Sequence, residues 1–200
     1  SVGIDVANVL SLLFSFGAAS VGVFATVYFV HNCQPGVIFG PIRATLAHFY
    51  LVALAMTALL VALAVLPPWG FDEPLIANRA FWPWLLVLPI ALISVLIQTS
   101  AEEILFRGYL QQHLGARFSS PWIWMVLPSV LFGFAHYDPQ GAGENAWIVV
   151  AWATFFGIAM ADLTARAGNL GPALAVHFVN NITALLIVAM PDEFGAAALF

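Results

Sequence analysis

TSAEEILFRGYLQQH, from Thr99 to His113, places Glu102, Glu103 and Arg107 inside an otherwise nearly continuous apolar run. An ionisable group in hydrocarbon costs roughly 3 kcal/mol on insertion scales, so three of them on one helix point to function. Glu103 and Arg107 are four residues apart, which stacks them on one helical face where each neutralises the other. Glu102 is rotated about 100° away and does not share that partner equally. One carboxylate is therefore expected to be structural, and its neighbour to be free for chemistry.

Outward from this stretch, the composition sets the class. The 200 residues are 62% apolar and 8% charged, with a mean hydropathy of +0.98. A soluble domain carries about 25% charged residues, so the chain reads as an all-α, polytopic membrane bundle. The net charge of −5 leaves no basic footprint for nucleic acid. The single cysteine, Cys33, excludes an internal disulfide and has no activating neighbour in sequence. The first apolar run lacks a basic leader and a small-residue cleavage site, so it reads as a spanning helix rather than a signal peptide. Without repeats or long linkers, residues 1–200 form one domain, with a motif core at 99–190.

Six helices follow from the apolar runs and their Pro/Gly punctuation: Ile4 to Val30, Ala44 to Leu66, Trp82 to about Leu114, Trp122 to Tyr137, Ala146 to about Ala165, and Ala173 to Met190. Pro89 predicts a kink in the third. At about 1.5 Å per residue most of these cross a core of roughly 30 Å, the fourth and sixth being short. Arg43, Arg117 and Arg166 fall in the first, third and fifth connections, and Arg79 in the second. The positive-inside bias then puts those three connections in the cytoplasm and both termini outside. Trp69, Trp82, Trp84 and Trp147 suit the outer interface and Trp122 and Trp124 the inner one, while Trp152 reads as packing. His31, His48 and His113 read as interfacial.

Helices three and four form a hairpin turning near residues 115–121, and Glu102 and His136 are equidistant from its midpoint. They are expected to lie at one height, roughly 20 Å from the cytoplasmic end. His177 and Asn181 are four apart on one face of the sixth helix, about 10–18 Å in from the same side. A carboxylate and an imidazole together can hold a water and remove its proton. An amide and a second imidazole can stabilise an oxyanion. For any one of these residues the plain alternative is interhelical hydrogen bonding that glues membrane helices together.

Glu102-Glu103-x-x-x-Arg107, Phe132-x-x-x-His136 and His177-x-x-x-Asn181, in that order over residues 102–181, resemble the three-motif signature of the CAAX-protease and bacteriocin-processing (CPBP) family. These are intramembrane glutamic endopeptidases that include the type II prenyl endoproteases. The resemblance implies that Glu102 and His136 activate water while His177 and Asn181 form the oxyanion hole. Glu103 and Arg107 would support the site, with Phe132 packed beside it. It implies further a peptide or protein substrate, lipidated or membrane-anchored, and a multi-pass protein of a prokaryotic cell membrane whose site opens to the cytoplasm. It implies no cofactor.

Other chemistries fit less well. A zinc protease with Glu102, His136 and His177 as ligands lacks an H-E-x-x-H helix, so no metal ligand is assigned. A serine nucleophile lacks its G-x-S-x-G elbow, Ser94, Ser100 and Ser129 being ordinary helix residues. An aspartyl protease needs two membrane aspartates, and only Asp162 is near the bilayer. A non-catalytic immunity or partner-binding protein is expected to have lost a motif position, and none is lost. A proton-coupled transporter using Glu102 would transport without cleaving. Tyr137 and Asp138 are expected to end the fourth helix, where Asp138 is also placed to orient His136.

Overall fold

A computed structural model of the chain describes residues 6–67, 76–188 and 196–200. Ile4, Trp69 and Met190, invoked above, lie outside the described residues. Among the described residues the chain is helical and contains no strand. The six helices are α1 (Val6–Val30), α2 (Ile42–Val65), α3 (Phe81–Gly115), α4 (Trp122–Ala135), α5 (Ala146–Ala167) and α6 (Gly171–Ile187). Four are long and apolar enough to span a bilayer, with α4 and α6 shorter. The protein is an integral membrane protein.

Local chemistry sets the breaks. After α1 the chain takes a left-handed turn at Asn32 (φ 53°) and a short 3-10 helix, Pro35–Phe39. Asparagine tolerates that conformation better than most residues. Pro41 caps the start of α2, and Leu66, held extended before Pro67, ends it. Helix α3 continues unbroken through Pro89 and widens into π-helical turns over Ile104–Gln111, directly after the Glu pair. Such widening is frequent at functional sites. Gly168, at φ 66°, closes α5 with its N–H on the Thr164 carbonyl, and Pro172 opens α6.

Helix α6 is the hub, packed by α2, α3 and α5, while α1 covers α3 and α4 pairs with α5. The α4–α5 pair is close because Gly133 and Gly157 have no side chain. A Cβ on Gly133 would stand 2.7 Å from the Val150 carbonyl oxygen, and one on Gly157 3.0 Å from the Ser129 Cβ. Small residues allow this approach in lipid, where helix contact depends on packing rather than water exclusion.

Two apolar cores bracket a polar layer. One gathers Val9, Leu10 and Leu13 of α1 with Ala91 and Val95 of α3 and Leu186 of α6. The other gathers Val23 and Val27 of α1 with Ile104 of α3 and Leu170 and Leu174 beside or on α6. Between Val95 and Ile104 on α3 lie Gln98, Glu102 and Glu103. Between Leu174 and Leu186 on α6 lie His177 and Asn181. The two polar sets face each other at one level of the bundle.

Arg117 lies in the α3–α4 turn, but Arg43 falls in the first turn of α2 and Arg166 in the last turn of α5, which corrects the expectation that all three lie in connections. The segments beside them meet at one end. His31 and His113 stack at 4.6 Å, Leu170 N–H donates to the Phe39 carbonyl at 3.1 Å, and Asn169 bonds His48 at 2.9 Å. The interfacial histidines are thus tied into that end rather than loose. At the other end, Trp84 Nε1 donates to the Leu186 carbonyl, and residues 196–200 fold back so that Leu199 and Phe200 donate to Leu186 and Ile187. Trp82, Trp122 and Trp147 are exposed on the lipid-facing surface. Trp152 corrects the expectation of packing: it is 62% exposed and lies beside Phe155 on the outside of α5. In lipid an outward face is as apolar as an inward one, so an aromatic side chain does not report its direction.

Candidate active site

Glu103 is fully buried and serves two partners. Its Oε1 accepts from Arg107 at 3.0 Å and from His177 Nδ1 at 2.7 Å. The four-residue spacing brings Arg107, itself within the widened turn, to Glu103, and both side chains are buried in the bundle. Arg107, 1% exposed, also donates to the Gly157 carbonyl at 3.3 Å and lies 4.6 Å from the centre of the Phe132 ring. One guanidinium therefore ties α3 to α5 through a hydrogen bond and to α4 through a cation–π contact. Gln111, one turn further along, repeats the link to α5 by donating to the Ala161 carbonyl at 2.9 Å.

Glu102 has different surroundings. Its side chain is 11% exposed, and its Oε1 accepts from Gln98 Nε2 at 2.7 Å. Its Oε2 is buried, accepts no hydrogen bond from the described residues, and stands 3.5 Å from His177 Nε2. The imidazole of His177 thus lies between the two carboxylates. A carboxylate only accepts, so Nδ1 carries the proton given to Glu103. Nε2, facing Glu102, donates only when the ring is an imidazolium.

Asn181 donates from Nδ2 to Gln98 Oε1 at 3.0 Å and accepts at Oδ1 from Asn180 at 3.1 Å. Gln98, 6% exposed, bridges Asn181 and Glu102 and was not singled out in the sequence. Its signal was the four-residue step back from Glu102, another same-face pair on an apolar helix.

His136 caps the end of α4 and is half-buried. Its Nδ1 meets the Phe132 carbonyl at 2.8 Å and its ring lies 4.5 Å from Phe132. Among the described residues it has no hydrogen bond to Glu102; Phe132 lies against both imidazoles, 4.5 Å from the His136 ring and 6.0 Å from that of His177. Asp138 does not orient it. Asp138 Oδ1 instead takes the N–H groups of Gln140 and Gly141 at 3.0 Å each, forming the turn after α4.

The structure therefore brings Gln98, Glu102, Glu103, Arg107, His177 and Asn181 into one hydrogen-bonded layer, with Phe132 packed on it and His136 against that ring. Among the described residues no group of three or more His, Cys, Asp or Glu side chains is arranged to hold a metal ion. A groove of about 460 Å³ lies between α1 and α3 against Phe14, Phe24, Ser100 and Ile104. It is not the site: Ser100 and Ile104 lie about 160° round α3 from Glu102.

The layer sets two carboxylates, a guanidinium, two amides and an imidazole among otherwise apolar helices. Residues 80–183, just over half of the chain, match the family model "Type II CAAX prenyl endopeptidase Rce1-like", and the chain belongs to that family of proteases. The match begins at the start of α3 and takes in every motif residue. The chain is 32% identical to the uncharacterized protein YyaK of Bacillus subtilis (strain 168) over 127 residues, 62% of this chain and 41% of YyaK. It is 26% identical to the uncharacterized protein YpbD of the same organism over 171 residues, 84% of this chain and 80% of YpbD. No solved structure matches it.

Proposed function

We propose that this chain hydrolyses a peptide bond in a membrane-associated or lipidated peptide or protein, using water activated by Glu102 and His136. The observation that carries the reading is the Glu102 carboxylate: Oε1 is held by Gln98, while Oε2 is buried, accepts no hydrogen bond among the described residues and faces His177. Glu103 is the poorer base, because its charge is already matched by Arg107. His136 suits the second role. With Nδ1 donating to the Phe132 carbonyl, the neutral ring presents a bare Nε2 able to accept a proton. His177 and Asn181 are assigned to the oxyanion. His177 Nε2 donates when the ring is an imidazolium, flanked as it is by two carboxylates, and Asn181 keeps one N–H beyond the one given to Gln98. The mechanism is that of a glutamic peptidase and calls on no metal or cofactor.

In the attack, a water gives its proton to the Glu102–His136 pair as its oxygen bonds the scissile carbonyl carbon. The carbonyl electrons move onto the oxygen facing His177 and Asn181. Collapse of the tetrahedral species breaks the C–N bond, and the stored proton goes to the leaving amine.

Asn181 gives a test. If it acts on charge that exists only in the transition state, Asn181→Ala lowers kcat by about 10²–10³ with KM little changed. If it were only interhelical glue, the change would cost about 0.6–2 kcal/mol of stability and leave turnover per folded molecule near normal. Measuring kcat and melting temperature on one preparation separates the two, and a normal kcat with a lowered melting point removes Asn181 from the catalytic set.

We also place the end bearing Arg43, Arg117 and Arg166 in the cytoplasm of a prokaryotic cell, with the site opening toward it. Cys33 is exposed at that end. It is expected to react with a membrane-impermeant thiol reagent only after cells are opened. A Cys33→Ser, Glu144→Cys variant should react in intact cells, and Glu144 is preferred to Gly143, whose φ of 54° disfavours a side chain. The reverse labelling pattern overturns the orientation.

A further inference from the structure

We propose that Gln98 is a positioning residue, coupling the charge on Glu102 to the orientation of Asn181; the inference rests on the functional reading above and extends it. A glutamine amide in a lipid-embedded helix must satisfy its donor and acceptor sides inside the protein. Gln98 does so with two residues of the layer, one on its own helix and one on α6. It gives Nε2–H to Glu102 Oε1 at 2.7 Å and takes Nδ2–H from Asn181 at Oε1 at 3.0 Å.

The direction of this relay is dictated by chemistry. An ionised carboxylate cannot donate, so the NH₂ side of Gln98 must face Glu102. Its carbonyl oxygen must then face α6, and only the NH₂ side of Asn181 can satisfy it. The Asn181 carbonyl consequently turns away, toward Asn180, which donates to it at 3.1 Å. An ionised Glu102 thus selects the rotamer of Asn181 that presents N–H groups rather than oxygen to the layer. That is the rotamer an oxyanion requires.

Gln98 has a second effect on Glu102. By occupying Oε1 it leaves Oε2 as the oxygen free to meet a water, on the side of His177. Gln98 itself touches neither substrate nor water in this scheme. It acts through Glu102 and Asn181, and at 6% exposure it has no other evident task.

The test compares purified wild type, Gln98→Met, Gln98→Glu and Glu102→Gln for kcat, KM and the pH dependence of kcat/KM. Gln98→Met keeps the length and removes both hydrogen bonds, and it is expected to lower kcat by about 10–100-fold with KM within a factor of two. Gln98→Glu is isosteric but sets a second carboxylate against Glu102. Like charges resist joint ionisation, so the acid limb of its profile is expected to move to higher pH by about one unit or more. A merely structural glutamine would lower the melting temperature of Gln98→Met and leave kcat per folded molecule unchanged. Should Gln98→Met fail to purify folded, the kcat of Gln98→Glu above its acid limb decides, a wild-type value there overturning the role. An inactive Glu102→Gln beside Gln98 variants with wild-type kcat overturns the role of Gln98 and leaves the functional reading standing. Wild-type turnover in Glu102→Gln overturns the functional reading, and this role with it.

Discussion

Glu102→Gln is expected to lower peptide cleavage by about 10²–10⁴-fold, the usual loss on removing a general base, while the protein still folds and purifies. Folding should survive because the amide is the same size and Gln98 can rotate its own amide to meet it. Among the described residues neither oxygen of Glu102 accepts a hydrogen bond from another helix: Oε1 bonds a residue of the same helix, and Oε2 stands 3.5 Å from His177 Nε2. The matching change next door should behave differently. Glu103→Gln removes the charge that balances Arg107 and weakens the bond to His177 Nδ1, so its first effect is on stability. A Glu102→Gln protein keeping more than about a tenth of wild-type turnover would exclude Glu102 as the base.

Arg107→Ala carries the largest expected stability loss. It strands the Glu103 carboxylate at 0% exposure, breaks the bond to the Gly157 carbonyl and empties the space over Phe132. Removing one member of a buried pair typically costs about 3–5 kcal/mol, most of it the uncompensated charge left behind. For a chain of this size that corresponds to a fall in melting temperature on the order of 10 °C. Arg107→Lys is expected to recover only part of it, since a single ammonium does not reproduce a planar fork reaching Glu103 and Gly157 from separate nitrogens. The double variant Glu103→Gln, Arg107→Ala should be milder than the sum of the singles. Strict additivity in detergent melts would count against the direct pairing.

Much of this arrangement was readable from the chain. Each helix was bounded by an apolar run and by residues that cannot continue it: Pro35, Pro67, Gly168 and the Asp138 turn. The Glu103–Arg107 pair followed from helical geometry alone, because four residues is a within-helix distance. Contacts between helices were harder. Equal distance from a hairpin turn predicts similar height for His136 and Glu102 but not the direction in which either points, and the ring of His136 lies against Phe132. That His177 bonds Glu103 as well as facing Glu102 depends on the rotation of α6, and no periodicity marks it. Gln98 was overlooked for a related reason: a lone amide in an apolar helix looks the same whether it joins two helices or orients a carboxylate. The fold-back of residues 196–200 onto Leu186 and Ile187 left no sequence trace, since it is made by backbone groups.

The central claim is that water, activated at Glu102, is the nucleophile in a metal-independent peptide cleavage. It is tested most directly by incubating the purified protein, dialysed against a strong chelator, with a peptide library in ¹⁸O-labelled water, wild type beside Glu102→Gln. Wild type is expected to release fragments whose new carboxyl termini carry a single ¹⁸O atom, and Glu102→Gln to release almost none. No cleavage by wild type until zinc is restored, or equal labelled cleavage by both proteins, would contradict it.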